Sequence, residues 1–575
     1  MFTSDQKEKL NNVFRRVVCL GISVFMVGLV YRRAGIYFET NDDRFISEIL
    51  SGVYGGEPEA HTVYVNYLLS LVLAALYKIT IRIPWYGGML LLFHVLVYTA
   101  IMESLLELCK TKFQILTVVG MEMALFLQGL YMISKIQYTS TAALMAIGGY
   151  ACLLLQYKNR RRGYFLFVLF SFLSCLLRRD AMLMIQPLGL AASAGVILAA
   201  KNGSIREKAV EMLKIIGCVA GCLLIAELGT VIGYHSEEWR EYNRYNKART
   251  EIFDYYGKPD YEEIADILAK YDVSRAEYEA FKEYVILNGN LNVDCTEEIA
   301  AYVKKQHVFP TPGQMMDSYM DAMWEHNAWK SNRIAVVTFV AVCILLLLYR
   351  QYRYLVPMAL IKLASVVIWG YLIYRGRLLN RIILPLYIGE TEIYLSVLVV
   401  ALLMAEDRAL WRKAVILAAA GIFCILCFQS GRQQYRFVHS QNEGMEQFMP
   451  GFWEINAYCE QHPENKYLLD AVSMSYYTGD VLETRFNGER NNIVSGTWFS
   501  GSPVMRKALQ RYFEDESNGF QWISYDFAYA DGHPAIKYLQ EKTGVDGVLT
   551  DQLVASHGGG YLVYYFARGL DLHEK

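Results

Sequence analysis

The chain has 575 residues, 54% of them hydrophobic, 14% aromatic and 19% charged, with a formal net charge of -2. Apolar runs of about 17 to 25 residues, each long enough to cross a hydrocarbon core, recur along it and exclude a single soluble domain. The near-neutral charge gives no reason to expect nucleic acid as a partner, so the information lies in where the basic residues stand.

Lys7, Lys9, Arg15 and Arg16 precede the first apolar run, Val17 to Tyr31, and hold the N-terminus in the cytoplasm by the positive-inside rule. That run has no convincing cleavage site and reads as a retained helix. The polar segment behind it, Tyr37 to Tyr67, then faces outward and carries two adjacent carboxylates, Asp42 and Asp43, among Tyr37, Phe38, Tyr54, Gly55 and Gly56. Thr62 to Ile79 resembles a second span, but counting it as one would put Lys158, Arg160, Arg161 and Arg162 outside. Read as a juxtamembrane or re-entrant helix, it returns every later basic loop to the cytoplasm.

Spans follow at Trp85 to Leu108, Phe113 to Met132, Tyr138 to Gln156, Tyr164 to Leu177, Met182 to Ala200 and Val210 to Ile232. After a polar segment come Ile334 to Tyr349, Tyr354 to Tyr374, Ile382 to Met404 and Ala414 to Phe428, which with the first helix predicts about 11 transmembrane helices. The cytoplasmic loops then hold Lys110 and Lys112, the cluster from Lys158 to Arg162, Lys201, Arg206 and Lys208, Arg350 and Arg353, and Arg408, Arg412 and Lys413. Two polar regions remain outside. Tyr234 to Arg333, with a Pro310-Thr-Pro312 break, predicts a helical insertion, and alternating short apolar and amphipathic stretches after Gln429 predict a small α/β domain. The expected organisation is a polytopic α-helical membrane protein with an N-terminal module (1–233, its first outer loop at 35–85), an extracytoplasmic helical insertion (234–333), further membrane helices (334–428) and a C-terminal extracytoplasmic α/β domain (429–575).

Most cysteines lie in or beside apolar runs, so a disulfide framework is not expected; Cys424 and Cys427 have metal-ligand spacing but no second pair. Adjacent carboxylates cannot both address one atom, because neighbours stand about 100° apart on a helix and on opposite faces of a strand. One of Asp42 and Asp43 is expected to face a site while the other braces. A single general base removing a hydroxyl proton fits this better than two carboxyls flanking a scissile bond. Ser495 to Ser502 holds serines and glycines without a nucleophile elbow.

At Asn41-Asp42-Asp43 the sequence resembles the GT-C class of membrane glycosyltransferases, in which an acidic pair follows the first helix and precedes a juxtamembrane helix that often opens on His-Pro-Pro or Lys-Pro-Pro. Pro58-Glu-Ala-His61 stands where that second element would be, without the double proline. The resemblance implies an inverting transfer from a polyprenyl-phosphate-linked sugar to a cell-envelope glycan, lipid or protein acceptor at the outer face of the plasma membrane. Asp42 or Asp43 would activate the acceptor hydroxyl or help hold a divalent cation, Mg or Mn, and Asn41, His61 and Tyr64 would contact substrate. A phosphate-linked donor needs outer cations, for which Arg178, Arg179, Arg375, Arg377 and Arg381 are the candidates, with Lys135 and Arg82 as isolated ones. The aromatics from Tyr242 to Tyr256 could stack on a sugar or simply pack. A polysaccharide polymerase or ligase shares the carrier. A non-enzymatic transporter or flippase would instead use intramembrane Lys362, His94, Glu122 and Glu227, although no inverted repeat is evident.

Overall fold

The computed structural model of the chain describes residues 4–156, 159–201, 203–287, 289–324, 328–403, 410–471, 474, 478–483, 491–513, 519–525, 533–554 and 560–570. Lys158, Met404 and Arg408 of the predicted loops and spans lie outside the described residues. Among the described residues nine helices are long and apolar enough to cross a membrane, which makes the chain a polytopic α-helical membrane protein.

The chain opens with α1 (Ser4–Ala34), strand β1 (Tyr37–Phe38), α2 (Asn41–Ser51), α3 (Tyr67–Ile79), α4 (Trp85–Leu108), α5 (Lys112–Gln128), the short α6 (Leu130–Ser134), strand β2 (Lys135–Ile136) and α7 (Tyr138–Leu155). The predicted spans Tyr164 to Leu177 and Met182 to Ala200 run on in one 40-residue stretch, α8 (Arg160–Ala199), broken only at Arg178, whose backbone is extended (φ -157°, ψ 100°). After α9 (Ile205–Gly233) the predicted insertion consists of α10 (Glu237–Thr250), a π-helical turn (Glu251–Tyr256), α11 (Ala265–Lys270), α12 (Arg275–Lys282), α13 (Val293–Gln306) and α14 (Pro312–Trp324). Then come α15 (Ser331–Leu348), α16 (Leu355–Tyr374), α17 (Asn380–Leu403) and α18 (Leu410–Gln461). The predicted boundary at 428 falls inside α18, which is 52 residues long.

Beyond α18 a five-stranded sheet forms from β3 (Tyr467–Asp470), β4 (Asn492–Ser495), β5 (Phe520–Tyr525), β6 (Val548–Val554) and β7 (Gly560–Phe566), in the order β4-β3-β5-β7-β6. β4, β3 and β5 are parallel, and β7 and β6 add antiparallel. Among the described residues two helices, α19 (Pro503–Tyr512) and α20 (Ala535–Thr543), belong to this α/β unit.

Both ends of α3 lie on one face of the bundle. At its start Asn66 donates its backbone N–H to the Leu176 carbonyl (2.8 Å) and its side-chain amide to the Ala226 carbonyl (2.7 Å). At its end the Tyr77 hydroxyl accepts from the backbone N–H of Tyr86 (3.1 Å), whose own hydroxyl donates to Asp43 (2.7 Å). With 13 residues the helix is ~20 Å long, against a hydrocarbon core of ~30 Å. On the opposite face Arg16 pairs with Glu103 (2.9 Å), and Arg162 pairs with Glu103 and with Glu107 (3.1 Å), tying α1, α4 and α8 together where the basic loops lie.

The sheet unit sits against the first loop. Phe38 donates to the Gly479 carbonyl and Val481 to the Ile36 carbonyl, each at 3.1 Å. The loop after β4 packs Trp498 on Tyr64 (4.5 Å between ring centres), and the Trp498 carbonyl accepts from the Tyr242 hydroxyl (2.6 Å).

Candidate active site

α2 puts its two aspartates in its first turn, where the exposed N–H groups of a helix favour negative charge. Phe45, Ile46, Ile49 and Leu50 bury the helix, and Gly52, at φ +84°, ends it in the left-handed region. β1 pairs in parallel with β2, and Glu39 donates its N–H to the Ile136 carbonyl (3.0 Å), so the loop is pinned to the start of α7.

The aspartates separate. Asp43 is fully buried, and its Oδ1 accepts from the Tyr86 hydroxyl (2.7 Å) and the Tyr138 backbone N–H (3.1 Å). Burial raises its carboxyl well above the ordinary range; the Tyr86 hydrogen bond opposes this, and the charge of Asp42 adds to it. Asp42 is half-buried and has no hydrogen bond or ion pair among the described residues. Burial raises it as well, while Arg381 pulls it down, as do Arg178 and Arg249, and Asp254 pushes it up. These four charges come from four elements: the first turn of α17, the break in α8, the last turn of α10 and the π-helical turn.

The arginines are held by aromatic faces. Arg178, released from helical geometry by its extended backbone, lies over Tyr64 (4.9 Å to the ring centre) and Tyr138 (5.5 Å), and pairs with exposed Asp180 (3.2 Å). Arg375 and Arg377 lie over Tyr255 at 4.1 and 4.8 Å, and Arg377 approaches Asp254 (3.9 Å). Arg381 forms no ion pair or hydrogen bond among the described residues. Arg179 turns away to Glu227 (2.8 Å), leaving the Asp42 neighbourhood.

Of the other predicted contacts, Tyr64 stacks under Arg178, and Asn41 opens α2, half-buried. His61 is engaged on both ring nitrogens, by the Glu59 carboxylate (2.6 Å) and the Gly233 carbonyl (2.9 Å), and stacks on Trp239 (4.9 Å); no ring nitrogen is left for a ligand. Arg82 is exposed beyond the end of α3. Within the bundle, Lys362 lies 3.9 Å from Glu390, and His94 meets Thr141 (3.1 Å). Glu122 is buried in α5, while exposed Glu227 is the partner of Arg179. Cys424 and Cys427 both address α5, through the Gly120 carbonyl and the Gln128 side chain. In the Ser495 to Ser502 stretch, Ser502 caps α19 and Ser500 accepts from the Thr497 N–H (2.6 Å).

Three site residues escaped the sequence reading. Arg249 is buried, with the Asn246 side-chain oxygen accepting from it at 2.7 Å and no carboxylate in direct contact among the described residues. It stands in phase with Tyr242 and Tyr245 on one face of α10, which is the signal that could have marked it. Asp254 belongs to the π-helical turn, a form concentrated at functional sites. Glu39 accepts from the Tyr131 hydroxyl (3.2 Å), and its other oxygen is buried without a hydrogen-bond partner. Burial pushes Glu39 up to about 7 against the pull of Arg381 and Lys135, and burial lowers Lys135 to about 8, with Glu39 opposing.

Among the described residues no three or more His, Cys, Asp or Glu side chains gather as a metal would need. The guanidiniums around Asp42 make its surroundings a better fit for an anion than for a second cation. No protein-family model matches the chain, and no curated protein matches it significantly. Among solved structures the chain is similar to ArnT from Cupriavidus metallidurans, crystallised bound to undecaprenyl phosphate, at 10% sequence identity and a TM-score of 0.39, over 95% of this chain and 97% of that one.

Proposed function

We propose that the chain is an integral-membrane, inverting glycosyltransferase of GT-C type that moves a sugar from a polyprenyl-phosphate carrier to a cell-envelope glycan, lipid or protein acceptor at the outer membrane face. One observation carries the reading: Asp42, a carboxylate with no partner among the described residues, stands within the fields of Arg178, Arg249 and Arg381, brought from three separate elements. A phosphate leaving group needs that convergence of guanidiniums, and an acceptor hydroxyl needs the free carboxylate.

In this reading Asp42 takes the proton from the acceptor hydroxyl as its oxygen attacks the anomeric carbon. The bond from that carbon to the phosphate oxygen breaks, and the charge left on the carrier phosphate is held by Arg178, Arg249 and Arg381. Arg375 and Arg377, fixed against Tyr255, border the same space through Asp254. Asp43 positions the base: its bonds to Tyr86 and Tyr138 lock the first turn of α2. No step is routed through a divalent cation.

The matching topology has eleven crossings, with α8 counted twice across Arg178 and α5 added to the helices already counted as long and apolar enough. The N-terminus and the Arg16, Glu103 and Arg162 cluster then face the cytoplasm of a plasma-membrane protein, and the insertion and sheet unit face outward.

The test is sugar release from a panel of short-chain polyprenyl-phosphate sugars by purified protein. Asp42→Asn is expected to lower turnover by about 10² to 10⁴, with Asp43→Asn staying within about tenfold. Unchanged turnover in Asp42→Asn overturns the assignment of the base. Donor binding without turnover, retained in both variants, favours transport instead.

A further inference from the structure

A large apolar cavity lies away from Asp42. It is a groove of about 790 Å³ between α4, α5, α15, α17 and α18, walled by side chains such as Met121, Val342, Leu398 and Phe423. Its lips, Phe113 and Ile422, are exposed toward the space that lipid fills. Among its lining residues one is charged, Lys413.

The position of the groove defines what fits it. α4 starts beside Asp43, where Tyr86 reaches the aspartate, and ends at Leu108, which lines the groove. The mouth, with Leu108, Thr111 and Lys413, is therefore a full helix length of ~36 Å from the Asp43 side. From Lys413 to Leu426, both lining residues of α18, the groove runs ~20 Å along the helix axis. That is about 5 Å more than half of a ~30 Å core, enough to cross one leaflet. A hydrocarbon chain with its head at the mouth matches both the length and the apolar wall.

The mouth selects the head. Lys413 forms no ion pair among the described residues, Lys110 and Lys112 are exposed on either side of Thr111, and Arg412 lies over the ring of the lining residue Tyr349 (5.6 Å). We propose that this groove holds one anionic glycerophospholipid of the leaflet opposite Asp42, an acyl chain between α5 and α15 and its phosphodiester at Lys413. A carrier whose phosphate must reach Asp42 does not satisfy this geometry, because the basic mouth and the carboxylate are on opposite faces. The proposal is independent of the reaction assigned above.

The test is native mass spectrometry of the full chain released from nanodiscs of equal palmitoyl-oleoyl phosphatidylglycerol and phosphatidylcholine. One phosphatidylglycerol per chain is expected to be retained in about fivefold preference, the effect of one basic side chain at an anionic lipid. Lys413→Gln should abolish the preference while lipid is still retained. Ala341→Trp, or Ala420→Trp from the opposite wall, should empty the groove. Equal retention of the two lipids by the wild type overturns the proposal, as does a co-purified polyprenyl phosphate in their place or undiminished retention by a folded Trp variant. If neither Trp variant folds, the wild-type preference and its loss in Lys413→Gln decide.

Discussion

Asp42 and Asp43 differ because consecutive helical positions point about 100° apart: one carboxylate turns into the α4 and α7 interface, while the other is left without a partner among the described residues and feels the charges of Arg381, Arg178 and Arg249. Asp43→Ala removes the acceptor of both the Tyr86 hydroxyl and the Tyr138 N–H, and is expected to cost about 2 kcal/mol in thermal unfolding, while Asp43→Asn keeps an acceptor oxygen and costs less. Glu39 gives a pH-dependent expectation. Its folded carboxyl stands near 7, above the unfolded value of 4.5, so the folded chain holds a proton that the unfolded chain releases in between. Stability from this group therefore falls as pH rises from about 4.5 to 7 and stays low above that. Glu39→Gln should be more stable than the wild type at pH 8, by on the order of 3 kcal/mol, and match it at pH 4.5 in chemical unfolding. That Asp42 and Asp43 point apart was legible in sequence because adjacent residues diverge on a helix or a strand alike. Arg249 was not: it sits in a segment dense with Glu, Arg and Lys, and only the packing of the loop after β4 onto α10 turns its face inward.

Element ends follow the apolar patterning closely where polar residues interrupt it, and α4 runs from Trp85 to Leu108 as read. They depart from it where polar residues still favour helix. Arg178, Arg179 and Asp180 look like a loop, yet one extended residue is enough to redirect α8. The Gln, Arg, Glu and Met residues after Phe428 are good helix formers, so α18 continues through them. Between elements, close approach is set by glycine. A Cβ on Gly496, which is at φ +72°, would fall 1.2 Å from the Tyr284 carbonyl oxygen, so this glycine lets the loop after β4 meet the insertion backbone to backbone. Gly496→Ala is expected to destabilise by about 2 kcal/mol or more and to expose that loop to limited proteolysis. Gly217→Ala, on α9 with nothing within 4 Å of the added methyl, should be neutral or slightly stabilising in the same assays.

The molecule as a whole has one face where the first loop, the α8 break, the insertion and the sheet unit converge, and another closed by the Arg16, Glu103 and Arg162 ion pairs. Charge bias, being additive along the chain, yields an expected orientation from sequence; the convergence was not legible, because it depends on contacts between segments hundreds of residues apart. A membrane-impermeant maleimide tests the orientation on a cysteine-free background. Glu262→Cys, on the insertion, should be labelled in intact cells, and Lys112→Cys only after permeabilisation; the reverse pattern removes the outer-face reading.

The unbroken course of α18 has a mechanical meaning. At 52 residues it is a rod of ~78 Å, of which a bilayer takes up less than half. Five residues, 462–466, join this shaft to the first strand of the sheet unit, a span of at most ~18 Å, so the unit stays close to the end of the shaft. The tilt of a membrane helix is set by its neighbours and by bilayer thickness. Through the hydrogen bonds of Phe38 to Gly479 and of Val481 to Ile36, any such tilt is passed to the loop that carries Asp42.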